Sequence, residues 1–283
     1  MTAATISHAP RRAASRRSNL RWLISDVAVL TRRILARIAR EPETLMDVTI
    51  QPILFVLMFA YVFGGAIPLP GGGSYHEYLV GGMLAMGLAM TAPGTAVALV
   101  TDMSSGLVDC FRSLPTARSA VLAGRTIADL VTQVIGALVV AGVGLAIGWR
   151  IHSSLTDAAV AFGLALLFGY AFTWLGACLG MVLRSPEAAQ QMGFVLFLPL
   201  TFVSNAFVPT QGMPGWLQAV ANWNPMSALA AAARELFGNP NPAASVQAWP
   251  MQHPELAVIG WSAVLLAVFA PLAVHLYRRK AAG

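Results

Sequence analysis

Six long stretches of this 283-residue chain contain no Asp, Glu, Lys or Arg, and that pattern constrains the fold more than any other feature. They are residues 48–67, 79–100, 130–149, 158–183, 192–209 and 256–276, the shortest of them 18 residues long. A helix needs roughly 17–25 apolar residues to cross the hydrocarbon core of a bilayer. A charge at its centre costs about 2.5–3.5 kcal/mol on insertion scales. Every stretch meets both conditions. They predict an all-α, polytopic membrane protein with six transmembrane helices, at about 48–67, 79–100, 121–149, 158–183, 192–209 and 256–276. A transmembrane barrel would show alternating segments of roughly ten residues, a pattern the sequence lacks. Composition agrees, with 57% apolar and 11% charged residues, where soluble domains carry about 25% charge. So few charges would not solvate the surface of a soluble globule, which excludes an ordinary soluble enzyme.

The basic residues set the expected orientation. Seventeen of the 18 are Arg, and the one Lys is Lys280. Sixteen fall before the first stretch, between the second and third, between the fourth and fifth, and after the sixth; Arg150 and Arg234 fall on the other side. The positive-inside rule then expects both termini in the cytoplasm. The clusters lack the aromatic interleaving of a nucleic-acid patch, so nucleic acid is not an expected partner.

Residues 1–19 read as a basic, disordered tail. Ser15-Arg16-Arg17 faintly resembles a twin-arginine signal, but Asp26 and Arg32-Arg33 interrupt the residues after it and no small-residue cleavage site appears. Residues 20–41 read as an amphipathic helix. Leu20, Leu23, Val27, Leu30, Ile34 and Ile38 recur at steps of three or four, with Arg21, Asp26, Arg33, Arg37 and Arg40 at complementary positions. Such a helix lies in the headgroup layer, with Arg32, Arg33, Arg37 and Arg40 near anionic lipid; packing of a soluble helix on another surface is the alternative. Pro42 ends it, and residues 42–283 form the membrane domain.

Residues 68–74 form a flexible Pro- and Gly-rich turn. The segment 210–255 is the largest on the expected outer side. Pro214 opens one short helix there, and Asn224 followed by Pro225 caps a second, which Gly238 ends. No internal repeat is visible, so a fold built on inverted repeats has little support.

A transporter needs an energy source, and the sequence supplies none. The phosphate-binding loop G-x-x-x-x-G-K-[ST] requires a Lys, and Lys280 stands in Arg-Arg-Lys-Ala. H-E-x-x-H and G-x-S-x-G are absent as well. Cys110 and Cys178 read as reduced thiols. Ion coupling leaves acidic residues inside the membrane, and the six stretches have none; Asp129 lies beside the third, where Arg125 one turn away makes a structural pair. An ion-coupled secondary transporter and an integral-membrane lipid-modifying enzyme are the rival readings, the second lacking a convergent acid, base and nucleophile. Between the second and third stretches, Phe111 and Leu114 are apolar knobs flanked by Asp109, Arg112 and Arg118. A short helix ended near Pro115 would offer a docking tip for a soluble partner; a local turn covering the membrane face is the other reading.

At these residues the chain resembles the membrane subunit of type-2 ATP-binding cassette exporters, specifically the daunorubicin-resistance permease group. Arg40-Glu41-Pro42 leads into Gln51-Pro52-Ile53-Leu54-Phe55 and Tyr61-Val62-Phe63-Gly64-Gly65. Gly106, Asp109, Phe111-Arg112-Ser113-Leu114-Pro115, Arg118 and Gly124-Arg125 match the segment after the second helix. Phe207-Val208-Pro209, Met213-Pro214-Gly215-Trp216-Leu217 and Asn224-Pro225 match the outer segment. The matches run from about residue 40 to 238 in order; Cys110, where the family often has Arg, departs from the pattern and puts one basic contact in doubt.

The resemblance implies a permease that moves hydrophobic or amphipathic compounds (a drug, an antibiotic-like metabolite or a lipid) out of a bacterial cytoplasm. It implies a homodimer or heterodimer of permease chains, and a separate ATPase that holds ATP and Mg while this chain binds no cofactor. The coupling loop would comprise Asp102, Gly106, Asp109, Phe111, Arg112, Leu114, Pro115 and Arg118. Helices two and five would line the dimer interface. Met83, Met86 and Met90, with Phe194, Phe197 and Asn205, then become candidates for the transport path, since Met adapts to varied partners; packing or lipid contact is the plain alternative. Pro214, Trp216, Asn224 and Pro225 would belong to an outer lid.

Overall fold

The computed structural model describes residues 31–32, 42–104 and 118–280, and every described element is helical. The elements, in order, are α1 (Pro42–Met58), a π-helical turn (Phe59–Phe63), α2 (Tyr75–Ala89), α3 (Thr91–Ser104), α4 (Arg118–Ala146) and α5 (Leu155–Val182). After these come α6 (Pro186–Phe202), α7 (Gly215–Trp223), α8 (Pro225–Phe237), the four-residue α9 (Trp249–Gln252) and α10 (Pro254–Lys280). Residues 1–30 and 33–41, which hold the expected tail and most of the interfacial helix, lie outside the described residues. Thr31 and Arg32 are helical, and the Thr31 hydroxyl donates to the Gly124 carbonyl at 3.2 Å, placing that turn against the start of α4.

Among the described residues, four stretches are long and apolar enough to cross a membrane: Tyr75–Ser104, Gly124–Ala146, Leu155–Val182 and Pro254–Tyr277. The protein is a multi-pass membrane protein. The first and fifth expected spans differ from the expectation. The first begins at Pro42 and passes at Phe59 into a π turn, whose wider i→i+5 pitch interrupts the α ladder. The fifth is α6, which begins at 186 and ends at 202 rather than running over 192–209. Its start is set by the Ser185 side chain, which accepts from the Ala188 amide at 3.2 Å, and by Pro186 in the first turn. The second span is α2 and α3 end to end, interrupted at Met90. Pro93 explains the break: it has no N–H to give the Ala89 carbonyl four residues back, and its ring crowds that carbonyl.

Small residues let the helices meet. A Cβ on Gly176 would stand 2.1 Å from the Ala92 carbonyl oxygen, and one on Gly180 would stand 2.8 Å from that of Ala96. The Gly176-x-x-x-Gly180 face is therefore where α5 lies against α3, backbone near backbone. On its other sides α5 packs against α10, α4 and α8.

The chain after α6 turns back into the molecule. Asn224 caps α8, its side chain accepting from the Met226 amide at 2.8 Å, and Gly238 ends the helix at a φ of +69°. Between those ends Met226 to Ala233 are all 0–1% exposed, as are Arg234 and Phe237. This run of small side chains lets α8 sit wedged among α2, α5 and α10. The segment read from sequence as two short outer helices thus has unlike halves: α8 is core, whereas α7 leaves Trp216 and Trp223 exposed.

Candidate functional site

Where α8 closes one region, a cavity of about 570 Å³ opens in another, lined by α1, α2, α3, α4 and α6. That volume is in the range that holds drug-sized molecules. Met83, Met86 and Met90 line it together with Phe194 from α6 and Phe55 from α1. The structure therefore brings four of the six proposed path residues to one cavity. It does not bring the other two. Phe197 is 1% exposed and packs on Phe172, ring centroids 5.7 Å apart. Three residues along a helix rotate a side chain by about 60° relative to the starting face, enough to turn Phe197 inward while Phe194 stays 55% exposed. Asn205 is buried beyond the end of α6, where its backbone and side-chain oxygens face Arg234.

The cavity also has a polar lining. Thr95 Oγ1 donates to Asp129 Oδ2 at 2.8 Å, and Arg125 Nε stands 3.0 Å from Asp129 Oδ1. The Arg125–Asp129 contact is an ion pair without good hydrogen-bond alignment, since the Nε–H makes no directed bond. One turn further along α4, Gln133 Nε2 donates to the hydroxyls of Thr91 and Thr173, both at 2.9 Å. Those hydroxyls spend their own hydrogens on the Leu88 and Gly169 carbonyls, which makes them acceptors toward the amide. The sequence reading gives Asp129 only a structural pairing with Arg125; the pair exists, and both residues also line the cavity. A matched spacing carries that signal: Thr91 and Thr95 four apart on one helix, Asp129 and Gln133 four apart on the next.

Asp102, near the end of α3, lines the same cavity. Gly106, Asp109, Phe111, Arg112, Leu114 and Pro115 lie outside the described residues, as do Arg33, Arg37 and Arg40; Arg118 is the first residue of α4, and Arg32 is exposed. At the other end of the fold Pro214 and Trp216 are exposed, while Asn224 is buried and its Nδ2 donates to the Leu200 carbonyl at 2.6 Å. Pro225 occupies the first helical position of α8.

A second polar cluster surrounds Arg234, which is 0% exposed. Its guanidinium donates to the carbonyls of Tyr78 (2.8 Å), Asn205 (3.0 Å) and Ala206 (2.9 Å) and lies over the Tyr78 ring, 3.5 Å from its centroid. Carbonyl dipoles and a π face stand in for a counter-ion here. Tyr78 in turn donates its hydroxyl to the Asn205 carbonyl.

The family description ABC-2 type transporter matches residues 25–237, which includes the residues that line the cavity and the whole of α8. The chain belongs to that family. It is 35% identical over 239 residues to the daunorubicin resistance ABC transporter permease protein DrrB1 of Streptomyces coeruleorubidus, covering 84% of this chain and 81% of that one. It is 25% identical over 280 residues to a probable doxorubicin resistance ABC transporter permease protein, DrrC, of Mycobacterium tuberculosis, covering 98% and 97%. A putative transport permease, ycf38, of Pyropia yezoensis is 28% identical over 227 residues, or 77% and 76% of the two chains. The chain is thus an ABC transporter permease.

Proposed function

We propose that this permease crosses a bacterial plasma membrane six times with both termini in the cytoplasm, and exports hydrophobic or amphipathic compounds through the cavity. The four long apolar helices supply four crossings. The 17-residue α1 continued by its five-residue π turn, and the 17-residue α6, supply the others; at 1.5 Å per residue α6 reaches roughly 25 Å, at the short limit for a span. The observation that carries the reading is the amphipathic cavity at the end of the bundle where α3 stops and α4 starts, which is the end attached to residues 105–117. A compound entering there comes from the cytoplasm or inner leaflet. The names of the relatives make drugs of the daunorubicin and doxorubicin type the compounds to try first; an antibiotic-like metabolite or a lipid fits the same walls.

Energy comes from a separate ATPase that holds ATP and Mg and docks on the loop at Phe111 and Leu114, with Gly106, Asp109, Arg112, Pro115 and Arg118 shaping that contact. Arg32, Arg33, Arg37 and Arg40 hold the preceding helix at anionic lipid. A second permease chain packs against α6, whose Phe194, Val195, Leu196 and Leu198 are exposed apolar side chains. The far end, where α7 and α8 sit, is the lid. The reading is tested by co-purifying the permease with its ATPase and measuring ATP-dependent uptake into inside-out vesicles. Phe111→Ala combined with Leu114→Ala is expected to lower recovery of the ATPase about tenfold, as loss of two buried anchors does at an interface, with membrane insertion unchanged. Undiminished recovery would remove the docking assignment, and uptake by the permease alone would remove the whole reading.

A further inference from the structure

Helix α7 carries its polarity the wrong way round for a surface in water. Trp216 is 72% exposed, Val220 55% and Trp223 57%, and Ala219 is exposed among them. Steps of three and four put these four side chains on one face. The opposite face holds the buried Ala221 and Asn222, and the Asn222 side-chain oxygen accepts from the Thr210 hydroxyl at 3.1 Å. Apolar groups point away from the protein, and the amide points into it. From Thr210 to Ala233 the chain has no Asp, Glu, Lys, Arg or His, so no charge opposes a low-dielectric neighbour.

Contacts set the height of this face along the bundle. Asn224, the residue after α7, donates from Nδ2 to the Leu200 and Val203 carbonyls at the end of α6. That end lies roughly 25 Å from the start of α6, near the edge of the hydrocarbon that a short span crosses. α7 also packs against α9, where Trp249 is half-exposed just before α10 begins. Along α10 the side chains of Leu256, Ile259, Val264, Val268 and Leu272 are exposed, and that helix is long and apolar enough to cross the membrane. The lipid-facing surface of α10 thus runs on through Trp249 towards α7. Area argues against a protein on this face. A stable protein–protein contact takes about 800 Å² from each partner, more than four side chains on about two and a half turns supply. Tryptophan suits the membrane–water interface, where its ring meets apolar matter and its N–H finds water or a head group.

We infer that α7 lies flat in the outer leaflet, at the boundary between head groups and acyl chains, with Trp216 and Trp223 as its anchors. The partner is the lipid surface itself, zwitterionic or uncharged, because α7 has no cation for an anionic head group. The lid at the exit end is thereby tied to the bilayer. Assignment to the outer leaflet rests on the orientation proposed above; anchoring in an interface does not.

The test places a nitroxide at Ala219→Cys or Val220→Cys, between the anchors, in a background with Cys110→Ser and Cys178→Ala. The full chain is reconstituted in phosphatidylcholine liposomes. Power saturation then compares collisions with oxygen, which concentrates among acyl chains, and with a neutral nickel chelate, which stays in water. Both sites are expected to meet oxygen more often than nickel, and added phosphatidylglycerol is expected to leave the ratio unchanged. Dominant nickel collisions would put the face in water, and low rates with both reagents would put protein over it, a second copy included; either overturns the proposal. A ratio that rises with phosphatidylglycerol overturns the choice of uncharged lipid. Trp216→Gln combined with Trp223→Gln is expected to invert the ratio at Val220→Cys, and an unchanged ratio removes the tryptophans as anchors. The measurement with both tryptophans present stands by itself, whatever the double variant does to folding. Gly212→Cys, exposed and with room for a side chain, reports the leaflet. It is expected to react with an impermeant maleimide in right-side-out vesicles alone. Reaction from the cytoplasmic side alone would remove the orientation and the outer-leaflet assignment together, and leave the interfacial anchoring standing.

Discussion

Two arginines set among packed helices occupy opposite surroundings in this permease. Arg234, in α8, is fully enclosed and spends its donors on three backbone carbonyls, a side-chain amide and the face of Tyr78. Arg125, in α4, stands beside the Asp129 carboxylate on the wall of an open cavity, its side chain 17% exposed. Backbone carbonyls are part of the fold, so the Arg234 cluster persists only while α2, α8 and the turn after α6 keep their places. The Arg125–Asp129 pair, by contrast, lines the cavity: the carboxylate is buried and held by Thr95 and Arg125, while the Arg125 side chain reaches the open side. The comparison assigns rigidity to one end of the molecule and loading to the other.

The largest effect is expected at the rigid end. Arg234→Ala leaves the Tyr78, Asn205 and Ala206 carbonyls buried without the guanidinium donors, which costs about 3 kcal/mol or more. Thermal unfolding in detergent, followed by fluorescence-detected size exclusion, checks this; a variant that melts with the parent would show that the carbonyl clamp does not hold the fold. Asn224→Ala comes next. It removes the cap on the Met226 amide and the donor to the Leu200 carbonyl, an expected loss of about 1–2 kcal/mol. The same melting experiment measures it, and a loss equal to that of Arg234→Ala would erase the ranking. Met86→Ala, at the loading end, removes a side chain that already faces space, so stability is expected to fall by less than about 1 kcal/mol. The relative transport of two different substrates is expected to shift several-fold instead. Uniform loss for every substrate would make Met86 a packing residue.

Much of this layout is legible in the residues alone. Charge-free length identifies the long crossings, and Asn224, Pro225 and Gly238 mark both ends of α8, because caps and left-handed turns depend on local chemistry. What α8 packs against is not legible. Arg234 counts as an outer-side charge in the sequence, since no sequence rule shows that carbonyls from residues 78, 205 and 206 converge on it. The unlike fates of Phe194 and Phe197 are hidden for a related reason: a spacing of three fixes the rotation between side chains but not which one faces the bundle. Asp129 is recognisable as the partner of Arg125 but not as a wall residue, because the cavity exists only once α1, α2, α3, α4 and α6 come together around it. The match of Gly176 and Gly180 to α3 likewise needs the partner helix.

Cysteine accessibility tests the division between the two ends most directly. In a background with Cys110→Ser and Cys178→Ala, Met86→Cys and Ala232→Cys are each exposed to a membrane-impermeant maleimide, applied first to right-side-out and then to inside-out vesicles without nucleotide. Met86→Cys is expected to react in the inside-out vesicles alone, through the cavity. Ala232→Cys, at a position 0% exposed in α8, is expected to react from neither side. Reaction of Met86→Cys from the outer side, its silence from both, or ready labelling of Ala232→Cys would contradict a cytoplasmic loading cavity closed off by a rigid outer end.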